Sequence, residues 1–197
     1  MTHELGYQKG VQIFEASVNF SFYWVFSVVA FSLYWLLNHK QELEIENRDV
    51  PISVMFGLIF VLYAISWFIF PYEPSTLALA RELVDGDRMT WLFFVITYLF
   101  AIPMTEELCF RGVVMGGLLG VNFTKRKAWN EVVAILISSI LFVGLHARYE
   151  YLSSFICLFL FSFVVGYARL SSNSLCLPIA LHAFSIAVGV GFSLLLI

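Results

Sequence analysis

Residues Thr90 to Val121 read TWLFFVITYLFAIPMTEELCFRGVVMGGLLGV, and the nature of this stretch decides the fold. It is apolar for about thirty residues, more than the roughly twenty that a helix needs to cross a bilayer. Two features interrupt it, Pro103 and the charged run TEELCFR. One long kinked helix, or two packed end to end, is the expected form. A charge at mid-bilayer costs about 2.5–3.5 kcal/mol on insertion scales, so Glu106, Glu107 and Arg111 together require an explanation.

The rest of the chain has the same character. Of its 197 residues 60% are hydrophobic and 13% charged, against roughly 45–50% and about 25% in an average soluble domain. A soluble fold could not cover that much apolar surface. Backbone groups cannot stay unpaired in hydrocarbon, and the apolar runs are long rather than alternating, so helices and not a barrel are expected. Further spans are read at about Ser17 to Leu37, Pro51 to Phe70, Glu131 to His146, Tyr151 to Leu170 and Leu175 to Ile197. The fold class is therefore all-α, a multi-pass transmembrane bundle of six spans, or seven if the Thr90 stretch is split. The segment from Tyr72 to Met89 mixes Leu77, Leu79, Leu83 and Val84 with charges and reads as a short interfacial helix.

Residues 1–197 are taken as a single membrane-embedded domain. The first ten residues lack the pattern of a cleavable signal peptide, so the first span is expected to direct insertion. Placing Lys125, Arg126 and Lys127 in the cytoplasm brings Lys40, Arg48 and Arg169 with them and leaves both termini outside. The expected location is the inner membrane of a bacterial or archaeal cell. No nucleic-acid partner is expected, because the 11 Lys and Arg residues are scattered through short connections. Cys109, Cys157 and Cys176 lie in apolar runs without CxxC pairing and are read as buried thiols.

Within the charged run, Glu107 and Arg111 are spaced i,i+4 with the carboxylate N-terminal, which suits a helical ion pair. Glu106 sits about 100° away around the helix and has no local partner. An unpaired intramembrane carboxylate is a functional-site candidate. Two later spans carry His146 and His182. Either one alone would more often be a hydrogen-bonded core residue. Together with Glu106 they supply a carboxylate and two imidazoles, which can hold and deprotonate a water or ligate a metal. Spacing alone does not establish that the three converge.

At these residues the chain resembles the CAAX-protease and bacteriocin-processing (CPBP, Abi) family of intramembrane proteases. Glu106-Glu107-Leu-Cys-Phe-Arg111 matches the family's EExxxR motif, and Phe142-Val-Gly-Leu-His146 matches FxxxH. The stretch from Gly166 to Ala183 is similar to the segment that leads into the last catalytic His, here His182. The resemblance covers about residues 90–197. It implies an endopeptidase acting on a membrane-anchored protein or peptide, with membrane lipids as its surroundings. Glu106, held with His146, would activate a water. Glu107 and Arg111 would brace the site, His182 would orient the water or stabilise the oxyanion, and Phe142 would pack beside it.

Two His and one carboxylate also describe a zinc site, with Glu106, His146 and His182 as ligands, but the pattern HExxH is absent. A metal-free, glutamate-activated water is the reading taken, with zinc as its alternative. The chain departs from the family at Ile186, where Asn or Asp usually follows the last His by four residues. Ile186 can neither donate to an oxyanion nor ligate a metal. Asn173 and Ser185 are the candidate substitutes, although spacing places neither of them well, and a non-catalytic immunity or scaffold protein of the same family is the alternative function. Gly112, Gly116 and Gly120 form two GxxxG steps that predict close helix packing.

Overall fold

The computed structural model of the chain describes residues 23–31, 33–34, 51–121, 123–146 and 149–197. The polar stretch 38–49 with Lys40 and Arg48, and the N-terminal ten residues, lie outside them. The described residues form seven helices and no strand. Helix α1 is helical over 23–31 and 33–34. It is followed by α2 (Ile52–Ile69), α3 (Pro74–Asp85), α4 (Arg88–Leu119), α5 (Lys127–Gly144), α6 (Leu152–Ser172) and α7 (Cys176–Leu194). Five of these, α2 and α4 to α7, are long and apolar enough to cross a membrane.

Each boundary has a local cause. Pro74 opens α3 at a first-turn position, where its missing N–H breaks no bond. Asp87 caps α4, its carboxylate accepting the N–H groups of Met89 and Thr90 at 3.0 Å each. Asn173 ends α6 in the left-handed conformation, φ 49°, which Asn tolerates better than most residues. The short amphipathic α3 matches the interfacial segment read from the sequence. It lays Ala80 and Leu83 inward, and Leu83 meets Phe94 and Val190.

Helix α4 is one helix of 32 residues, not two. It contains two stretches of wider π turn, Val95–Ala101 and Leu108–Val114. The first leads directly into Pro103, whose ring and missing N–H disturb the preceding turn of any helix. A widened turn accommodates that disturbance without breaking the span. The second begins immediately after Glu107. Such insertions are frequent at functional sites, and here they flank the Glu106-Glu107 pair, the second of them carrying Arg111.

The bundle is apolar outside and polar within. Phe68, Leu145 and Val113 are among many large side chains left open to the surroundings, while Glu107, Arg111, Ser162 and Ser185 are buried. That inversion is what lipid solvation demands, since intramembrane charges must face the bundle interior. The chain is an integral multi-pass membrane protein. Helix α7 packs against α2, α3, α4 and α6, and Phe110, Phe142, Phe161 and Leu181 gather into one core where these helices meet α5.

Of the GxxxG glycines, Gly112 makes a close approach: a Cβ there would lie 3.3 Å from Tyr34 and 3.6 Å from Leu175. Gly116 faces open space among the described residues. The tightest helix contact at a glycine is elsewhere, at Gly166 of α6, where a Cβ would lie 3.0 Å from Ile135 of α5. The three cysteines are free thiols and only partly buried.

Candidate active site

Glu106 and Glu107 leave α4 between its two widened turns and point to different surroundings. Glu107 is fully buried and Arg111 is 1% exposed. Nη1 donates to Oε1 at 3.1 Å, and Nε faces Oε2 at the same distance as a charge contact. The remaining guanidinium nitrogen, Nη2, donates to the Ser162 carbonyl at 3.0 Å and to its hydroxyl at 2.8 Å. The guanidinium carbon also sits 4.7 Å from the centre of the Phe142 ring, within cation–π range. Arg111 thus ties α4 to α6 and α5 at one point.

The Glu107 carboxylate also reaches α7. Its Oε1 accepts a hydrogen bond from His182 Nδ1 at 2.8 Å. A carboxylate already held by a guanidinium can only accept, so Nδ1 carries a hydrogen, and His182 Nε2 is the ring nitrogen left to face the site. His146 is oriented the same way by different means, since its Nδ1 lies 2.7 Å from the Phe142 carbonyl oxygen. A carbonyl has no proton to give. Nδ1 again carries a hydrogen, and Nε2 is the ring nitrogen left to face the site.

Both Nε2 nitrogens face Glu106. Oε2 of Glu106 lies 3.7 Å from His146 Nε2 and 3.8 Å from His182 Nε2, and this buried oxygen has no hydrogen-bond partner. Glu106 of α4, His146 just past the end of α5 and His182 of α7 thus bring three polar atoms together without a direct hydrogen bond, an arrangement that suits a bridging water. Glu106 and His146 keep 20% and 22% of their side-chain surface open, against 6% for His182. The site therefore has an accessible half, Glu106 with His146, and a dry half, Glu107 with Arg111 and Ser162.

All six residues singled out from the sequence, Glu106, Glu107, Arg111, Phe142, His146 and His182, lie in this one cluster. Phe142 is fully buried, its ring 4.5 Å from that of His146 and 5.8 Å from that of His182. The donor types match those of a zinc site. Among the described residues, however, no group of three or more His, Cys, Asp or Glu side chains is arranged to hold a metal ion.

Three expectations require correction. Ile186 does not point to the site; it packs with Leu83, Phe94, Val95 and Leu99 in the apolar seam between α3, α4 and α7. Ser185 is no replacement for the missing amide, because its hydroxyl donates to the His182 carbonyl at 2.7 Å and pairs with Tyr63. Asn173 caps α6 and lines a different cavity with Lys125 and Lys127.

Sequence reasoning missed Ser162 and Glu73, and the stacking of the Tyr149 ring beside that of His146, with centroids 6.0 Å apart. A serine in an apolar helix carries no distinctive signal, and its value here comes from facing Arg111 across 51 residues of chain. Glu73 is 8% exposed and accepts the backbone N–H groups of Glu150 and Tyr151 at 3.1–3.2 Å. It pins the loop that follows His146.

The profile of the type II CAAX prenyl endopeptidase Rce1-like family matches residues 88–188. The chain is also similar to an "Uncharacterized 24.3 kDa protein" of Escherichia coli, 27% identical over 150 residues, which is 74% of this chain and 65% of that protein. The chain thus spans just under two thirds of that relative's length. No solved structure matches. The profile covers more than half of the 197 residues and the four helices from which Glu106, His146, Ser162 and His182 converge, and on that ground the protein belongs to the type II CAAX prenyl endopeptidase Rce1-like family.

Proposed function

We propose that the protein is an intramembrane endopeptidase that hydrolyses a peptide bond near the lipid-modified C-terminus of a membrane-anchored protein or peptide, with Glu106 activating the attacking water. The observation that carries this reading is the convergence of His146 Nε2 and His182 Nε2 on the unpartnered Oε2 of Glu106, at 3.7 and 3.8 Å. The prenylated substrate class comes from the family's description.

In this mechanism a water bound by Glu106 and His146 loses a proton to Glu106 as its oxygen bonds to the carbonyl carbon. The carbonyl π pair moves onto oxygen and forms a tetrahedral oxyanion. Glu106 then returns the proton to the amide nitrogen, the C–N bond breaks, and the products are a carboxylic acid and an amine. The line Ser162, Arg111, Glu107, His182 holds the second imidazole rigid, so little reorganisation is needed as charge develops. Phe142 walls both rings with an apolar surface.

Glu106→Gln tests this reading. The amide keeps the shape but cannot take a proton, so cleavage should fall by about 10²–10⁴-fold while the thermal unfolding midpoint stays near that of the wild type. A non-catalytic relative would show no Glu106-dependent cleavage of any membrane-anchored peptide.

A further inference from the structure

Away from Glu106, His146 and His182, none of which lines it, a separate cavity of about 100 Å³ lies at the rim of the bundle. Its volume is the space of about three waters. It sits where α2 ends, α3 and α6 begin and the last turns of α7 pass. The aromatic rings of Tyr63, Trp67, Tyr72, Tyr149 and Phe192 line it, together with the Glu73 carboxylate.

The polar groups of this cavity are incompletely used. Glu73 is 8% exposed and accepts two backbone N–H groups, from Glu150 and from Tyr151. A carboxylate has about four acceptor sites, so part of its capacity is left over. Among the described residues no cation forms an ion pair with it. A buried carboxylate without a counter-charge is costly, and aromatic faces attract a cation through their ring quadrupoles. Trp67 stacks on Phe192, with centroids 5.4 Å apart. Its indole N–H is buried and has no partner among the described residues, so the same cavity wall carries a donor that calls for an acceptor oxygen.

We propose that this cavity binds the headgroup of a zwitterionic phospholipid, its ammonium group held by Glu73 and the surrounding rings and a phosphate oxygen accepting from Trp67 Nε1. A cation alone would leave the indole N–H unpaired, and an anion alone would be repelled by Glu73. The surroundings suit a lipid. Phe68, Ile69 and Phe70 follow Trp67 directly and are 77%, 67% and 43% exposed, an apolar surface against which acyl chains can lie. Trp and Tyr side chains at the ends of spans mark the level of the headgroups. The site stands whether or not the chain is a peptidase.

The test is calorimetry on the full chain in a nonionic detergent, with dihexanoylphosphatidylethanolamine as the probe. Dihexanoylphosphatidylglycerol offers the same chains and phosphate without the cation, and ethylammonium offers the cation without the lipid. The ethanolamine lipid should bind about tenfold or more tightly than either. Glu73→Gln should weaken it by about tenfold or more. Trp67→Phe, which keeps a ring against Phe192, and Tyr72→Leu, at a residue 40% exposed, should each weaken it by about threefold. None of the three should change the binding of the glycerol lipid. Because Tyr72 lies at the surface, its replacement tests the cage even where a change at Glu73 disturbs folding. Equal affinity for the two lipids would overturn the proposal by assigning the binding to the acyl chains. Ethylammonium binding as tightly as the ethanolamine lipid would overturn the lipid and leave a site for a free or peptide-borne ammonium. Wild-type affinity for the ethanolamine lipid in Trp67→Phe and Tyr72→Leu would place the lipid elsewhere and overturn the site.

Discussion

Arg111 makes its bonds to two residues, Glu107 on its own helix and Ser162 on α6, while buried to 1% exposure. A buried ion pair is weak support for stability in itself, because desolvation offsets much of the attraction, yet removing one partner leaves an uncompensated charge. Arg111→Leu should therefore destabilise the protein by about 3–5 kcal/mol, and it should also free His182 by disturbing Glu107. Arg111→Lys keeps the charge but cannot reproduce the forked contact, and should fall between the two. Thermal unfolding in detergent measures both variants. An Arg111→Leu protein as stable as wild type would show that the pair is not buried as described. Glu106 contrasts with this pair. It is one residue away on the same helix, partly open and without a hydrogen bond at Oε2, so its replacement should affect chemistry rather than folding.

Among the elements, α4 carries most of the design, and its N-terminus offers a pH test. Asp87 is exposed, and the N–H and hydroxyl of Thr90, then the N–H of Met89, hold its carboxyl below the ordinary aspartate range. A carboxylate whose pKa is lower in the folded state contributes stability above its unfolded pKa, and that contribution is lost as pH falls through the folded value. Asp87→Asn still caps the helix but does not titrate. Its unfolding midpoint should therefore fall less steeply than that of wild type as the medium is acidified below the unfolded aspartate pKa. An identical acid limb in both proteins would remove Asp87 from the account. The α5–α6 contact offers a packing test. Gly166→Val forces a branched side chain against Ile135 and should cost about 1–3 kcal/mol, lowering activity as well because Ser162 lies one turn away on α6. Gly116→Ala, with open space around it, should be neutral or stabilising by up to about 1 kcal/mol. Thermal scans of the two variants check the pair.

At the level of the whole molecule, the bundle divides a lipid-facing exterior from an interior holding five ionisable site residues, three on α4, one on α7 and His146 just past the end of α5. The proposed hydrolysis uses Glu106 itself as the base, so no step depends on an ion to lower the pKa of water. Purified protein should keep its Glu106-dependent activity through prolonged chelation. Activity that disappears with bound zinc and returns with it would replace this mechanism by a metal-assisted one. Helix α7 is central because it joins both halves of the site. Its second turn brings His182 to Glu107, and its later turns bury Ile186 and Val190 against α3 and α4.

The helical, membrane-spanning class was legible in the sequence because lipid leaves a chain few choices. Long apolar runs must become helices, and a run of 32 residues with a proline must bend or widen. The Glu107–Arg111 pair was legible too, since helical periodicity sets which side chains share a face. What the sequence could not decide is every contact made across helices. Spacing placed Ile186 one turn beyond His182, but the rotation of α7 about its own axis turns that residue into an apolar seam. Ser162, Glu73 and Tyr149 look unremarkable in the chain, each a common residue in a common setting. They matter because packing brings them to Arg111, to the loop after His146, and to the His146 ring. Local periodicity is written along one helix, whereas the relative rotation and depth of neighbouring helices is set by many small packing terms summed over the bundle, and only the tertiary structure resolves that sum.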